Sequence, residues 1–442
     1  MRNHFKRRLV ALVALGLAVR VLYVIVVMRH RELGFDSNWY HDMANTLSRG
    51  RGYQVRCAVT TSCDFRPTAY FPPLFPLLLA LPSRLGASSL TSLQLFACGV
   101  GSCTVAAVGF LARRLGGPSV GLVAAGIAAV HPMFFAPDGG LMSESLYLLV
   151  VTCVLLAAYR ALERPSMSRW ALLGLLIGAA ALTRGEGLVL LLLALPVGAA
   201  LRRQPISRRL ALSGVAVAVS LAVVSPWVIR NSLTFGEPVL FSTNANTVVR
   251  GANCPATYGG TMIGYWSFDC LSLGIDPLES LTLNEVQSGD RIRRAGIRYA
   301  SAHKGRLVAV SAIRVLRTWG VFDPLQQARL EAPAGRTVGG EQAGWAMYAA
   351  LIPLAVIGLM VVHRGPPRWP LVGVGVVVTL QTLLTYGAQR WRATAEPVIV
   401  TCAAMTIVAL VRSRRRRRHS RRAPGIRRPR TQPRVWLRRA RG

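Results

Sequence analysis

The sequence is almost without lysine and poor in acids. Lys6 and Lys304 are its only lysines, and 18 acidic residues stand against 53 basic ones. It has no G-x-x-x-x-G-K-[ST] loop to cradle a nucleotide's phosphates, which argues against an ATP-driven pump. It also has no H-E-x-x-H helix, so the common zinc-protease pattern is missing. The seven histidines do not gather at metal-ligand spacing. Charge itself is scarce: only 16% of the 442 residues are charged and 52% are hydrophobic. A chain of that make-up has too little polar surface for a soluble globule, and its apolar runs are long enough to cross a bilayer, which takes ~20 residues.

Ten such runs are present, at 9–28, 90–112, 120–137, 145–162, 170–182, 188–201, 210–228, 344–362, 370–388 and 396–411. The N-terminal run is longer than a signal-peptide core and lacks a clear small-x-small cleavage site, so it reads as a retained helix. The net charge of +35 would suggest nucleic acid in a soluble domain. Here the arginines fall in short connections at 113–114, 160–169, 202–209 and 364–368 and in the tail beyond 410. Basic loops stay on the cytoplasmic side, so topology explains the charge and no nucleic-acid partner is expected. Placing all these connections inside gives a consistent alternation only if 71–85, short and rich in proline, is re-entrant or interfacial.

The expected architecture is an α-helical polytopic bundle of about 10–11 membrane helices with both termini cytoplasmic. Residues 1–229 would form the membrane core, including an outer loop 34–70 and the segment 71–85. Residues 230–343 would be a small mixed extracytoplasmic module, 344–411 the last membrane helices, and 412–442 a disordered basic tail drawn to anionic lipid. In the outer loop, Trp39, Met43 and Leu47 recur at helical spacing, so a short amphipathic helix is expected there, with Asp36 a candidate cap. Cys98, Cys103, Cys153 and Cys402 lie in apolar spans and read as packing residues. Cys57 with Cys63, and Cys254 with Cys270, are local pairs in polar loops and candidates for disulfides if those loops face an oxidising compartment.

This topology collects one set of polar groups on the outer face: Asp36, Asp42, Asp138, Glu144, Arg184, Glu186, Arg390, Arg392 and Glu396. An ionised carboxylate accepts a proton from a hydroxyl in a concerted step. Arginine, always charged and fork-shaped, suits a phosphate whose charge grows as it leaves. Together they suit transfer of a group from a phosphorylated lipid to an acceptor hydroxyl. A transporter or flippase of an anionic lipid-linked sugar would use the same arginines without a base, but no paired half-repeat is visible. A divalent metal held by carboxylates is left open by the spacing.

Six stretches carry a resemblance, in this order: F-D-S-N-W-Y-H-D-M-A, Y-F-P-P-L-F-P-L-L-L-A-L, H-P-M-F-F-A-P-D-G-G-L-M-S-E-S-L, A-L-T-R-G-E-G, S-P-W-V-I-R-N and Q-R-W-R-A-T-A-E-P. Across about residues 20–411 the series resembles the GT-C membrane glycosyltransferases, nearest to the protein O-mannosyltransferase and aminoarabinose transferase branch (glycosyltransferase family 39 and related bacterial families). The resemblance implies a bacterial plasma-membrane enzyme with its site on the extracytoplasmic face. It would take a polyprenyl-phosphate sugar donor and a hydroxyl-bearing protein, lipid or glycan acceptor. By resemblance, Asp36 is the base that activates the acceptor, and Glu144 the second acid, with Asp138 competing for that role. Arg184, Arg390 and Arg392 would face the donor phosphate, and Arg230 and Asn231 match the W-x-x-R-N element. Tyr40, His41 and Asp42 complete the candidate substrate-binding set. Ser37 stands where the family often has a further acid, which bears on metal binding, and Trp391 replaces a tyrosine.

Overall fold

The computed structural model describes residues 2–56, 65–192, 201, 204–272, 283–361 and 367–422. Its first helix, α1 (Arg2–Leu22), runs on through a π-helical stretch, Tyr23–Met28. α2 (Phe35–Ser48) follows from an extended Gly34. Asp36 therefore sits inside the first turn and does not cap it, which leaves its carboxylate for another partner. The helix ends where Gly50 and Gly52 take φ of 73° and 77°, a left-handed region that favours glycine. A two-stranded antiparallel hairpin comes next, β1 (Gln54–Arg56) on β2 (Phe65–Pro67), with Val55 opposite Arg66. α3 (Leu74–Arg84) has 11 residues. At ~1.5 Å per residue it reaches only about half way through a hydrocarbon core of ~30 Å.

The long apolar helices carry the bundle: α4 (Leu90–Gly116), α5 (Pro118–Val130), α6 (Pro132–Gly139), α7 (Glu144–Glu163), α8 (Met167–Thr183) and α9 (Ile206–Phe235). A 3₁₀ turn, Gly185–Leu190, follows α8. α5 and α6 meet at a bend of 43°, where Pro132 has no amide hydrogen to continue the ladder. After α9 the described chain is helical: α10 (Asn244–Gly251), α11 (Glu285–Ala302), α12 (Lys304–Thr318) and α13 (Pro324–Glu331). Asn284 starts α11 by accepting from the amides of Val286 and Gln287. Cys254 and Cys270, each beside a single helical turn, are joined by a disulfide. Cys57 and Cys63 lie outside the described residues. α14 (Val338–Val361), α15 (Trp369–Leu384), a 3₁₀ segment Gln389–Thr394 and α16 (Glu396–Arg422) complete the fold.

Among the described residues six helices are long and apolar enough to cross a membrane, and the bent α5–α6 pair makes a seventh. Three shorter apolar helices, α3, α8 and α15, lie with them. The chain is a multi-pass membrane protein. Lipid offers little hydrophobic drive between helices, so contact depends on close approach of small residues. α8 meets α9 where Gly174 lies against the backbone of Ala216, and α14 meets α16 where Gly358 lies against the Cys402 carbonyl.

One charge pair is sealed inside the bundle. Arg20 Nε donates to Asp138 Oδ2 at 2.8 Å, and neither side chain is exposed. The same guanidinium donates to the carbonyls of Gly16, Ala129 and Phe134, so it ties α1 to both sides of the α5–α6 bend. A charge left alone there is far more costly than the pair. Arg20→Ala is expected to lose about 3–5 kcal/mol of stability, and Arg20→Met with Asp138→Leu much less. Denaturant titration of the purified protein in micelles compares them, and equal losses would contradict the pairing.

Candidate active site

The bend in α5–α6 delivers the chain to Ser143 and Glu144, the start of α7. Ser37 of α2 donates to the Gly140 carbonyl at 2.5 Å, and Gln94 donates to the Gly139 carbonyl at 2.5 Å, which pins this turn between α2 and α4. Glu144 is thereby buried at a helix N-terminus, where the peptide dipoles favour an anion. Three guanidiniums surround it. Arg390 Nε donates to Glu144 Oε1 at 2.8 Å, Arg184 Nη1 lies 3.1 Å from the same oxygen, and Arg336 Nη2 lies 3.8 Å away. They come from the 3₁₀ segment before α16, the end of α8 and the approach to α14.

Arg390 does more than neutralise Glu144. Its Nη1 donates to Asp36 Oδ2 at 3.2 Å, so one guanidinium bridges the first turn of α2 and the first turn of α7. Arg184 is held further by Glu186, at 2.5 Å from Nε, and by the Ser143 hydroxyl, which accepts from the same Nη1 that faces Glu144. Its guanidinium faces the Trp391 ring at 5.0 Å and the Tyr147 ring at 5.8 Å. Burial alone would lower the pKa of Arg184. The Glu144 and Glu186 carboxylates outweigh it and hold the group above its ordinary value. Arg390 goes the same way: burial opposes its charge, and Glu144 and then Asp36 more than restore it.

A second layer lies behind. Arg336 donates to Glu341 Oε1 at 2.8 Å, while its Nε and Nη2 have no hydrogen-bond partner. Glu331 accepts from the Gln389 amide at 2.8 Å and from the Gln327 side chain at 3.0 Å. Burial raises the pKa of Glu331 against the pull of Arg336. Among the described residues Glu144 Oε2, Glu341 Oε2 and both polar atoms of the Gln389 side chain are also buried without partners, so the interior around the cluster is polar and under-satisfied. The end of the expected 230–343 module thus supplies Arg336 and Glu341. Their roles were not visible because neither lies in a motif and both reach the site only through the fold.

The other candidates fall in different places. Tyr40, one turn after Asp36, is buried against Phe71 and Phe75. Burial raises its phenol pKa, and the neighbouring Asp36 carboxylate adds to this. Asp138 is committed to Arg20 and does not join the cluster. Arg392 is also buried elsewhere: it pairs with Glu396 at 2.8 Å and covers the Tyr348 ring at 3.6 Å. Arg230 donates to the carbonyls of Thr68 and Tyr53 and to Asn231 Oδ1, strapping α9 to the hairpin. His41 and Asp42 face away from Asp36. His41 is paired with Asp42 at 3.2 Å, and that hydrogen bond raises the imidazole pKa.

Among the described residues no three His, Cys, Asp or Glu side chains come together as a metal site. Asp36 and Glu144 share a guanidinium, a setting that repels a divalent cation. The donor set does not fit a metal, and no step below runs through one. Beside the site, α14, α15 and α16 enclose an apolar groove of about 410 Å³, lined by Leu359, Val376, Ile399 and Cys402 among others. Ala395, at the end of the 3₁₀ segment that carries Arg390, also lines it.

Residues 71–229 match the family described as dolichyl-phosphate-mannose-protein mannosyltransferase. No curated protein sequence matches the chain. Among solved structures, the oligosaccharyltransferase AglB of Archaeoglobus fulgidus, in complex with an inhibitory peptide and a dolichol-phosphate, aligns with a TM-score of 0.56 at 15% identity, covering 97% of this chain and 52% of that one. The same organism's enzyme tethered to an acceptor peptide gives 0.55 at 16% identity, over 96% of this chain and 51% of that one. ArnT from Cupriavidus metallidurans bound to undecaprenyl phosphate gives 0.44 at 15% identity, over 90% and 77%. The chain spans about half the length of the oligosaccharyltransferase structures it matches. The expected GT-C resemblance is borne out by the fold across nearly the whole chain and by the family match over its N-terminal membrane helices.

Glu144→Gln removes the one charge shared by three guanidiniums. It is expected to cost about 3 kcal/mol of stability, because the arginines stay buried and under-compensated. A melting curve with no shift would contradict Glu144 as their common anchor.

Proposed function

We propose that the protein is a membrane glycosyltransferase that moves a sugar from a polyprenyl-phosphate donor to an acceptor hydroxyl at the extracytoplasmic face, with inversion at the anomeric carbon. The observation that carries this reading is the Arg390 bridge between Asp36 and Glu144, with Arg184 on the same buried carboxylate.

In this reading the prenyl tail lies in the bilayer against the apolar groove of α14–α16, and the phosphate reaches Arg184 and Arg390. Each guanidinium is held at Nε and Nη1, Arg390 by two carboxylates and Arg184 by two carboxylates and the Ser143 hydroxyl. The Nη2 of Arg390 makes no hydrogen bond within the described residues. Such pre-oriented cations stabilise the charge that grows on a leaving phosphate without reorganising during the reaction. The acceptor oxygen attacks the anomeric carbon from the face opposite the phosphate as Asp36 takes its proton. The bond between that carbon and the phosphate oxygen breaks, and its electron pair leaves with polyprenyl phosphate. Glu144 stays charged throughout and serves to hold the arginines. Attack and departure on opposite faces invert the configuration.

Asp36→Asn keeps the size of the side chain and removes the proton acceptor. It is expected to lower transfer by at least ~10²–10⁴-fold, while the variant still reaches the membrane and retains polyprenyl phosphate. The assay follows release of polyprenyl phosphate from a labelled polyprenyl-phosphate sugar in proteoliposomes. Label that crosses the bilayer without any release would instead identify a flippase.

A further inference from the structure

A second cavity, of about 1100 Å³, is lined along α2 from Phe35, the neighbour of Asp36, to Arg49. Its walls are α2, the β1–β2 hairpin and the start of α11, and it uses none of Glu144, Arg184 or Arg390. Among the described residues four arginines line it, Arg49, Arg51, Arg56 and Arg66, against two acids, Asp42 and Glu285. Glu285 is turned to neutral donors, the Ala69 amide at 3.0 Å and the Thr243 hydroxyl, and Asp42 to His41. The carboxylates therefore do not cancel the guanidiniums.

These arginines have no topological reason to be there. They lie between α2 and α3, on the side of Asp36, and basic residues that set membrane orientation belong on the opposite, cytoplasmic side. The remaining wall is aromatic and amide-bearing, with Phe35, Trp39 and Tyr70 beside Asn38, Asn45 and Asn284. Flat rings take the face of a sugar, and the amide atoms not used within the described residues, Asn38 Oδ1 and Asn284 Nδ2, can accept from and donate to hydroxyl groups. The volume is at the upper end of the ~300–1,000 Å³ typical of small-molecule pockets, enough for a short oligosaccharide. Phe35, which directly precedes Asp36 in the first turn of α2, lines the wall and connects this cavity to the chemistry, with the Tyr70 ring 5.6 Å from its own.

We propose that this cavity binds the acceptor, and that the acceptor is an anionic glycan, a carboxylate- or phosphate-bearing oligosaccharide whose hydroxyl is passed to Asp36. The assignment rests on the glycosyltransferase reading and names its acceptor class. Arg51, which lies over the Phe65 ring at 4.6 Å, and Arg66 on β2 are placed to pair with the acidic groups.

The test uses the full chain in nanodiscs and two probes of equal length, tetragalacturonate and its methyl ester, read by tryptophan fluorescence. The acid is expected to bind about tenfold more tightly than the neutral ester, the value of one charge-assisted contact, and to weaken as salt rises. Arg51→Glu with Arg66→Glu should lower affinity for the acid by about tenfold or more and leave undecaprenyl-phosphate binding as it was, which also reports that the variant is folded. Equal binding of acid and ester, no binding of either, or a variant as tight as the parent would overturn the proposal. Tighter binding of a Glu-rich peptide of the same charge would overturn it in favour of a polypeptide site. A carboxylated against a phosphorylated oligosaccharide then separates the two sources of charge. Asp36→Asn should keep probe binding while transfer is lost, and a parent protein that binds the probe yet releases no polyprenyl phosphate would count against the glycosyltransferase reading alone.

Discussion

Glu144 is a carboxylate buried where it cannot remain charged alone. It stands at the N-terminus of α7, and its charge is balanced by Arg184, Arg390 and Arg336, from parts of the chain far apart in sequence. Desolvating any one of these groups by itself costs several kcal/mol, so the four hold their positions only as a set. The bend after α5, the Ser37 contact to Gly140 and the turn carrying Arg390 serve the same end. They bring the opposite charges to a common point and keep lipid and water away from it.

What the cluster sets up is an asymmetry along each guanidinium. Arg390 is held by Asp36 and Glu144, and Arg184 by Glu186, Ser143 and Glu144, so rotation of either head group is costly. A fork held at Nε and Nη1 presents its Nη2 in a defined direction. In the proposed reaction that is worth more to a departing phosphate than a mobile charge, because the donors need no reordering as the bond breaks. Asp36 is placed beside the same fork by being the second residue of α2, a position that leaves it uncommitted to the helix cap.

Much of this was legible before the structure. The apolar runs marked the helices, because a bilayer leaves little freedom in length or composition. Asp36, Glu144, Arg184 and Arg390 sat in motifs, and the fold brings all four together. What could not be seen depends on side-chain direction and long-range pairing. Arg390 and Arg392 share a motif, yet in a 3₁₀ segment of three residues per turn they point to different sides, and Arg392 turns inward to Glu396. Asp138 looked like a rival to Glu144 because the two are six residues apart, but α6 ends between them and Arg20 claims Asp138. Arg230 is a candidate only by its match to the W-x-x-R-N element, and its guanidinium fastens the hairpin. Arg336 and Glu341 had no local signal at all.

In the proposed mechanism Arg390 couples Asp36, as proton acceptor, to the buried Glu144. A double-mutant cycle of Asp36→Asn and Arg390→Lys measures this, with single-turnover release of polyprenyl phosphate as the readout, since lysine keeps the charge but cannot span both carboxylates. Each single variant should lose most of the activity, and the double variant should lose less than the two losses combined by about 1–3 kcal/mol. Losses that add to within ~0.5 kcal/mol would mean that the two residues act independently, and would contradict the bridge.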